Sequence, residues 1–176
     1  MRAFLAPFLA AALSIATTLS ACSSLDTSFD YDTAADFSRL KTYTWIESSS
    51  ASEPTSLTLQ RVHTAVDEAL AARGYRIDSQ APDFLVASHI STSERTQVTD
   101  WGYTYAPRGA WYGSHDIDVY TYQEGTLILD VVDAASRSLL WRGTASRMVD
   151  PDWTPEEREK IVREAVDELL QQFPPK

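Results

Sequence analysis

The stretch "EGTLILDVVDAASRSLLWRGTASRMV", residues 124–149, contains two β-forming runs joined by a polar connection. Residues 126–132 and 139–148 are rich in Leu, Val, Ile and Thr, and the intervening "DAASRS" has the small and polar residues of a turn. We therefore predict an antiparallel β-hairpin whose arms lie side by side in a sheet.

Two helices are predicted on either side of this hairpin. Residues 57–73 carry apolar side chains at three- and four-residue steps, and Gly74 follows where a C-terminal cap belongs. The run Thr154-Pro155-Glu156-Glu157 has the order of a capping box with proline at the first helical position. The second helix should present one apolar side, made of Ile161, Val162, Ala165, Val166, Leu169, Leu170 and Phe173.

The remaining segments indicate short strands. Residues 29–31 and 43–45 alternate apolar and polar, with a turn near 34–38, and a Ser-rich loop follows at 48–56. "YRID" and "PDFLVASHIS", residues 75–78 and 82–91, add two more short strands. Since strands and helices do not alternate regularly, we expect an α+β two-layer sandwich: a mostly antiparallel sheet with two helices packed on one face.

The amino-terminal segment has the layout of a bacterial lipoprotein signal peptide. Arg2 precedes an apolar run over 4–19, and small Ser20 and Ala21 stand before Cys22, the only cysteine. The tetrad Leu19-Ser20-Ala21-Cys22 resembles a lipobox, which implies cleavage between Ala21 and Cys22 and a diacylglycerol plus an N-acyl chain on Cys22. The alternative is a free thiol in an ordinary signal peptide or in the core.

This interpretation divides the chain into a cleaved signal peptide (1–21), a lipidated tether (22–27) and one α+β domain (28–176). Several acyl chains hold a protein on a membrane much more firmly than one chain does. Ser23 follows the anchor, and the resemblance to sorted lipoproteins favours the periplasmic side of the outer membrane. The net charge of −10 argues against nucleic acid as a partner.

Several stretches of the domain are similar to a known family. They are "DYDTAADFSRLKTYTWI", "VDEALAARGYRI", "PDFLVASH", "EGTLILDVVDAASRSLLWRGTA" and "AVDELLQQFPP". Together they resemble the bacterial lipoproteins grouped as domain of unknown function 4136, over residues 30–175. The resemblance implies an envelope lipoprotein, and it supplies no catalytic residues.

Motifs for chemistry are weak in this sequence. Ser114, His115 and Asp116 are the residue types of a hydrolase triad, but sequence neighbours seldom face one another as a triad requires, and a polar loop is the simpler interpretation. The three histidines are far apart, although His63 and Asp67 could share a helix face. We expect no catalytic residue, no metal and no cofactor beyond the lipid on Cys22.

Carboxylate pairs are also present, at Asp130 with Asp133 and at Asp150 with Asp152. Aspartate is favoured at strand ends and turns because its side chain bonds to nearby backbone groups. We therefore interpret both pairs as structural.

The least ordinary stretch is "DWGYTYAPRGAWYGSHDIDVYTYQEG", residues 100–125, which is rich in aromatic residues. Alternating residues of an extended chain project to one side, so these side chains could form a contact surface for a glycan or an envelope protein. The candidate contact residues are Trp101, Tyr103, Tyr105, Trp111 and Tyr112. The alternative is that Tyr120, Tyr122 and the other flanking aromatics pack on a sheet.

The sequence thus predicts a non-enzymatic envelope lipoprotein that serves as an interaction or structural module. A glycan- or peptidoglycan-binding lipoprotein using residues 101–122 is the second hypothesis.

Overall fold

The computed structural model of the protein describes residues 25–46, 57–100 and 117–176. Two helices and six strands lie in these ranges, together with a short 3₁₀ turn over Phe37–Arg39. In chain order they are β1 (Asp26–Tyr31), β2 (Thr42–Trp45), α1 (Leu57–Ala72), β3 (Arg76–Ile77), β4 (Phe84–Asp100), β5 (Ile117–Asp133), β6 (Leu139–Val149) and α2 (Pro155–Leu170).

The strands form one sheet in the order β1-β6-β5-β4-β2-β3. The pairs β1–β6, β6–β5 and β5–β4 are antiparallel, whereas β2 runs parallel to both β4 and β3. The core residues of the sheet and of both helices belong to one cluster, with the helices packed against each other on one face. The predicted α+β sandwich with a mostly antiparallel sheet is therefore confirmed.

Strand lengths depart from the sequence prediction. The predicted β5–β6 hairpin is present, but β5 begins at Ile117 and not near residue 126. β4 extends to Asp100, so it has 17 residues and is not the short strand expected over 82–91. The prediction stopped early because residues 91–100 are mainly Ser, Thr, Gln and charged residues, and so lack the apolar run that indicates a buried strand.

Both helices begin and end for local reasons that the sequence contains. Gly74 has φ +89°, a left-handed conformation, and its N–H donates to the carbonyl of Ala71 at 2.9 Å, which closes the end of α1. At α2, Thr154 Oγ1 accepts from the N–H of Glu157, and the Glu157 carboxylate accepts from the N–H of Thr154. The predicted cap and capping box are confirmed.

The core lies between the sheet and the helices. Its largest fully buried side chains are Trp141, Tyr43 and Phe84, surrounded by aliphatic residues of both helices. Phe173, beyond the end of α2, packs against the rings of Phe84 and Trp141 with centroids 6.0 and 5.5 Å apart. The segment after α2 is thereby fixed to the sheet. Of the predicted α2 face, Ile161 and Val162 are only half-buried.

Candidate interaction site: a projecting β-ribbon

The sheet narrows to two strands at one end. β6 stops at Val149, opposite Gln123 of β5, and β2 pairs with β4 only at Phe84–Val86. Beyond Gln123, β4 and β5 continue as an antiparallel pair over residues 95–100 and 117–122, which we call the ribbon. Within the described residues no other strand pairs with the ribbon. A two-stranded ribbon is marginally stable alone in water, so the ribbon depends on the wider sheet from which it extends.

One face of the ribbon carries a valine pair. Val98 lies directly opposite Val119, and directly opposed residues project to the same side of a sheet. Val98 is separated from the core residues Phe84 and Val86 by even steps, which places the pair on the side where the helices pack. Both valines are 62% exposed, so they lie beyond the cover that the helices give.

The opposite face carries two tyrosines. The rings of Tyr120 and Tyr122 have centroids 6.1 Å apart and an interplanar angle of 22°. Tyr120 is 57% exposed and Tyr122 is half-buried. Both flanks of the aromatic stretch lie in strands, as the second interpretation of this stretch predicted. Tyr120, however, is exposed and does not pack into the core.

A salt bridge stands at the base of the ribbon. Arg95 Nε donates to Glu124 Oε1 at 2.9 Å, across the β4–β5 pair and next to Tyr122, which lies opposite Arg95. Exposed ion pairs contribute little to stability, typically about 0–1 kcal/mol. The pair therefore positions side chains beside Tyr122 more than it stabilises the fold.

The outer edge of β4 has no neighbouring strand over most of its length. From Ala87 onward, in the part of the chain that the structure describes, no strand lies on the side of β4 away from β5. All residues from Ser91 to Val98 are exposed. Natural edge strands are commonly protected by charged side chains, proline or a bulge; residues 91–98 contain no lysine or proline, and their charged residues are Glu94 and Arg95.

The chain enters the domain at the ribbon end of the sheet. Asp26, the first residue of β1, pairs with Ser146 of β6, which in turn pairs with Thr126 of β5. β5 runs from Thr126 back to Ile117 along the ribbon. The amino terminus of the described domain and the ribbon are therefore at the same end of the sheet.

A network of hydrogen bonds joins helix α1 to strand β2. Asp67 Oδ1 accepts hydrogen bonds from Tyr43 Oη at 2.7 Å and from Trp45 Nε1 at 2.9 Å. Burial, followed by the hydrogen bond to Asp67, raises the pKa of Tyr43 well above its usual range. His63 stacks on Trp45 with ring centroids 3.8 Å apart, and Ser88 Oγ lies 3.5 Å from His63 Nε2.

The contacts of this network link α1 to β2, which is a structural role. Burial lowers the pKa of His63, and the nearby Asp67 carboxylate only partly opposes that shift. Asp67 accepts both hydrogen bonds, from the Tyr43 hydroxyl and the Trp45 indole, with one carboxylate oxygen, so it ties α1 to β2. His63 and Asp67 do share a helix face, as the sequence suggested, but no cluster of three or more metal-ligating residues occurs among the described residues.

The first carboxylate pair divides between a turn and a strand. Asp133 is 4% exposed and accepts from the N–H groups of Ala135 and Ser136, from Ser136 Oγ and from Arg39. These hydrogen bonds, with that from the Ser136 backbone the largest, hold the pKa of Asp133 well below its usual range. Asp130 lies within β5, not at its end, and binds Arg142 of β6 at 2.6 Å through both oxygens.

The second carboxylate pair lies in the turn before α2. Asp150 Oδ1 accepts from the N–H of Asp152 at 2.9 Å, as expected for aspartate in a turn. The structural interpretation of both pairs thus agrees with the contacts observed.

Several predicted site residues fall outside the described ranges. They are Ala21, Cys22, Trp101, Tyr103, Tyr105, Trp111, Tyr112, Ser114, His115 and Asp116.

The sequence analysis did not predict the ribbon, although the β-branched residues at 96, 98, 99, 119 and 121 were an available signal for it. No helix among the described residues is long and apolar enough to cross a membrane.

These features describe a single α+β domain with a projecting two-stranded ribbon. Residues 27–175 match the family model described as Domain of unknown function (DUF4136), and the chain belongs to that family. A comparison with curated proteins found no match.

Solved structures show distant likeness to the fold. A PDZ domain protein from Parabacteroides distasonis is similar over 87% of this chain, with a TM-score of 0.57 and 13% identity. The chain spans only 36% of that protein's length. PelC from Paraburkholderia phytofirmans, solved as a dodecamer, is similar over 83% of this chain and 94% of its own, with a TM-score of 0.47 and 12% identity.

Proposed function

We propose that the protein is a lipid-anchored lipoprotein of the bacterial outer membrane, facing the periplasm, and that its domain is a non-enzymatic interaction or structural module. The observation that carries the proposal is the tetrad Leu19-Ser20-Ala21-Cys22 at the end of an apolar segment. A thiol in that position is the side chain that lipoprotein processing would alkylate. The other features are consistent with an anchored module, because the ribbon exposes apolar side chains on both faces.

The anchor is tested by replacing the thiol. Cys22→Ser should abolish incorporation of labelled palmitate and release the domain from the membrane fraction, whereas Ser24→Ala, two residues on, should change neither. Unchanged acylation and fractionation of Cys22→Ser would end the lipoprotein proposal.

The membrane of residence has its own test. The wild-type protein should sediment with the outer membrane on a density gradient, and Ser23→Asp should move it to the inner membrane in a host that sorts lipoproteins by this residue. A wild-type protein found in the inner membrane would contradict the outer-membrane assignment.

A second candidate function is glycan binding, and the Tyr120–Tyr122 pair favours it. The two rings are near-parallel, with Tyr120 exposed and Tyr122 half-buried, and beside polar Arg95 and Gln97 they make a surface on which a sugar ring could stack. Binding to isolated sacculi should fall on Tyr120→Ala, Trp101→Ala or Trp111→Ala and should survive Phe29→Ala, which removes an exposed aromatic ring from β1. Binding that all three variants retain would exclude this use of the aromatics.

A further inference from the structure

We propose that the outer edge of β1 binds an extended basic segment of a partner protein, which pairs with β1 as an additional strand of the sheet. In this mode of recognition, backbone hydrogen bonds hold the added strand and alternate side chains give specificity. The inference rests on the proposed role of the domain as an interaction module, and it names the chemistry of the partner.

The backbone of β1 has groups that point away from the sheet. β1 is the outermost strand of the described sheet, where its only neighbour is β6. The N–H of Asp32 donates to the carbonyl of Leu140 at 2.9 Å, and residues bonded in this way alternate along an antiparallel pair. The backbone groups of the even-numbered residues of β1 therefore face β6, and those of the odd-numbered residues face outward. The outward-facing residues are Thr27, Phe29 and Tyr31.

One outward-facing donor has a partner within the chain. The N–H of Tyr31 donates to Asp30 Oδ1 at 2.9 Å, so a local side chain closes that end of the edge. The N–H groups of Thr27 and Phe29 have no strand opposite them in the described sheet. The edge available to an added strand therefore covers residues 26–30.

A row of charges crosses the face of the sheet away from the helices and ends at this edge. Arg142 of β6 donates two hydrogen bonds to Asp130 of β5, both at 2.6 Å. Asp30 lies directly opposite Arg142 on the other side and is exposed. Because Arg142 forms its ion pair with Asp130, Asp30 has no cation bound to it among the described residues. A cation on an added strand would continue the alternation of charges.

A second carboxylate lies on the same face of β1. Asp26 is four residues before Asp30, with Ser28 between them, and alternate residues of a strand project to one side. All three side chains are exposed. A complementary strand therefore has basic residues opposite the two aspartates and a small polar residue opposite the serine.

The other face of β1 favours apolar side chains on the added strand. Phe29 is 44% exposed, and its ring stacks on that of Tyr31 with centroids 6.3 Å apart. The Tyr31 ring contacts Phe37, which packs against Phe173 of the core. Apolar residues opposite positions 27 and 29 would cover the exposed part of the Phe29 ring. The segment that fits both faces alternates basic or polar residues with apolar ones, as in Lys-Val-Thr-Val-Lys.

A second copy of the chain fits this edge less well. Two β1 strands related by a twofold axis place aspartates opposite each other in the registers that pair most of the strand. An axis at Ser28 opposes Asp26 to Asp30. An axis at Phe29 opposes Asp26 to Asp32. Directly opposed like charges destabilise a strand pair, so the aspartates protect the edge against other copies while they attract a basic segment.

The experiment measures peptide binding to the full acylated protein in non-ionic detergent by fluorescence anisotropy. The probe is the end-blocked peptide Thr-Lys-Val-Thr-Val-Lys-Thr, whose symmetric sequence serves either strand direction. We expect it to bind. A matched peptide with proline for both valines keeps the charges but loses N–H groups needed for pairing, and a second has glutamate for both lysines. Neither matched peptide should bind.

Two variants test the contacts on the protein. Thr27→Pro removes an N–H that faces away from β6, so the fold keeps its own hydrogen bonds, and it should weaken probe binding about tenfold. Asp30→Asn should weaken binding about two- to fivefold, as expected for an exposed ion pair. Asp152→Asn, at an exposed position in the turn before α2, should leave binding unchanged. Urea unfolding shows whether each variant is folded.

The outcomes separate strand addition from its alternatives. Equal binding of the probe and its proline form, or binding that a folded Thr27→Pro variant retains in full, would indicate attraction to an acidic surface and would overturn the proposal. Absence of probe binding would overturn the partner class. Dimers that form without peptide and are lost in Thr27→Pro would assign the edge to a second copy and overturn it as well. Palmitate labelling of the same preparation reports on the Cys22 anchor independently, so a failure of the lipoprotein proposal is seen separately.

Discussion

The indole ring of Trp141 lies directly against the backbone of Gly143, two residues along the same strand. A Cβ atom at position 143 would overlap Trp141 Cη2, come within 2.9 Å of Cζ2 and approach Leu169 Cδ2 at 3.1 Å. Trp141 is fully buried, so its ring cannot move aside. Glycine is required here by a close approach between sheet and helix, and not by backbone conformation.

Gly143→Ala should therefore destabilise the fold by about 1–3 kcal/mol, the usual cost of overpacking a core. Urea unfolding followed by tryptophan fluorescence measures it. Thr144→Ala, the next residue on the opposite face of the sheet, is the matched control and should cost less. Equal stabilities for Gly143→Ala and the wild type would contradict the observed packing.

Asp67→Ala should destabilise the domain by about 2–4 kcal/mol, because the buried Tyr43 hydroxyl and the Trp45 indole both lose their acceptor. Asp67→Asn keeps a carbonyl oxygen in the same place and should cost less. Thermal unfolding of both variants provides the comparison. If alanine and asparagine were equally tolerated, the acceptor role of Asp67 would be wrong.

Asp133 should contribute to the acid sensitivity of the fold. Its pKa is lowered in the folded state, so its stabilisation is complete above the unfolded value of about 3.9 and is lost as the pH falls below it. Asp133→Asn should cost about 1.5–3 kcal/mol at pH 7, with the difference from wild type shrinking toward pH 2. Urea midpoints across this range measure it. The exposed Asp152→Asn variant should show no comparable trend.

His63 should affect the stability of the fold at a higher pH than Asp133 does. Burial lowers its pKa, so the unfolded chain binds a proton more readily and stability falls as the pH drops through about 6.5. His63→Gln should reduce the loss of stability between pH 7 and 5, whereas His89→Gln, at an exposed position, should leave it unchanged. A steeper loss in His63→Gln would reverse the sign argued here.

The sequence was most informative where local chemistry determines structure. The capping box before α2, the glycine after α1 and the β5–β6 hairpin could all be predicted, because short-range patterns specify them. The ribbon was missed, because residues 91–100 lack an apolar run and because the pairing joins segments on either side of residues 101–116. The Asp67 network was also beyond prediction, since Tyr43 and Trp45 of β2 are far in sequence from Asp67 of α1.

The pairing of β1 with β6 also sets the order in which the domain can form. Asp26 and Ser146 are about 120 positions apart, and closing so long a loop is slow. A chain synthesised from its amino terminus presents β1 first and its partner strand nearly last. One margin of the sheet therefore stays unpaired until almost the whole polypeptide has emerged, so truncated or stalled chains would carry an unsatisfied strand next to the segment proposed to receive the lipid.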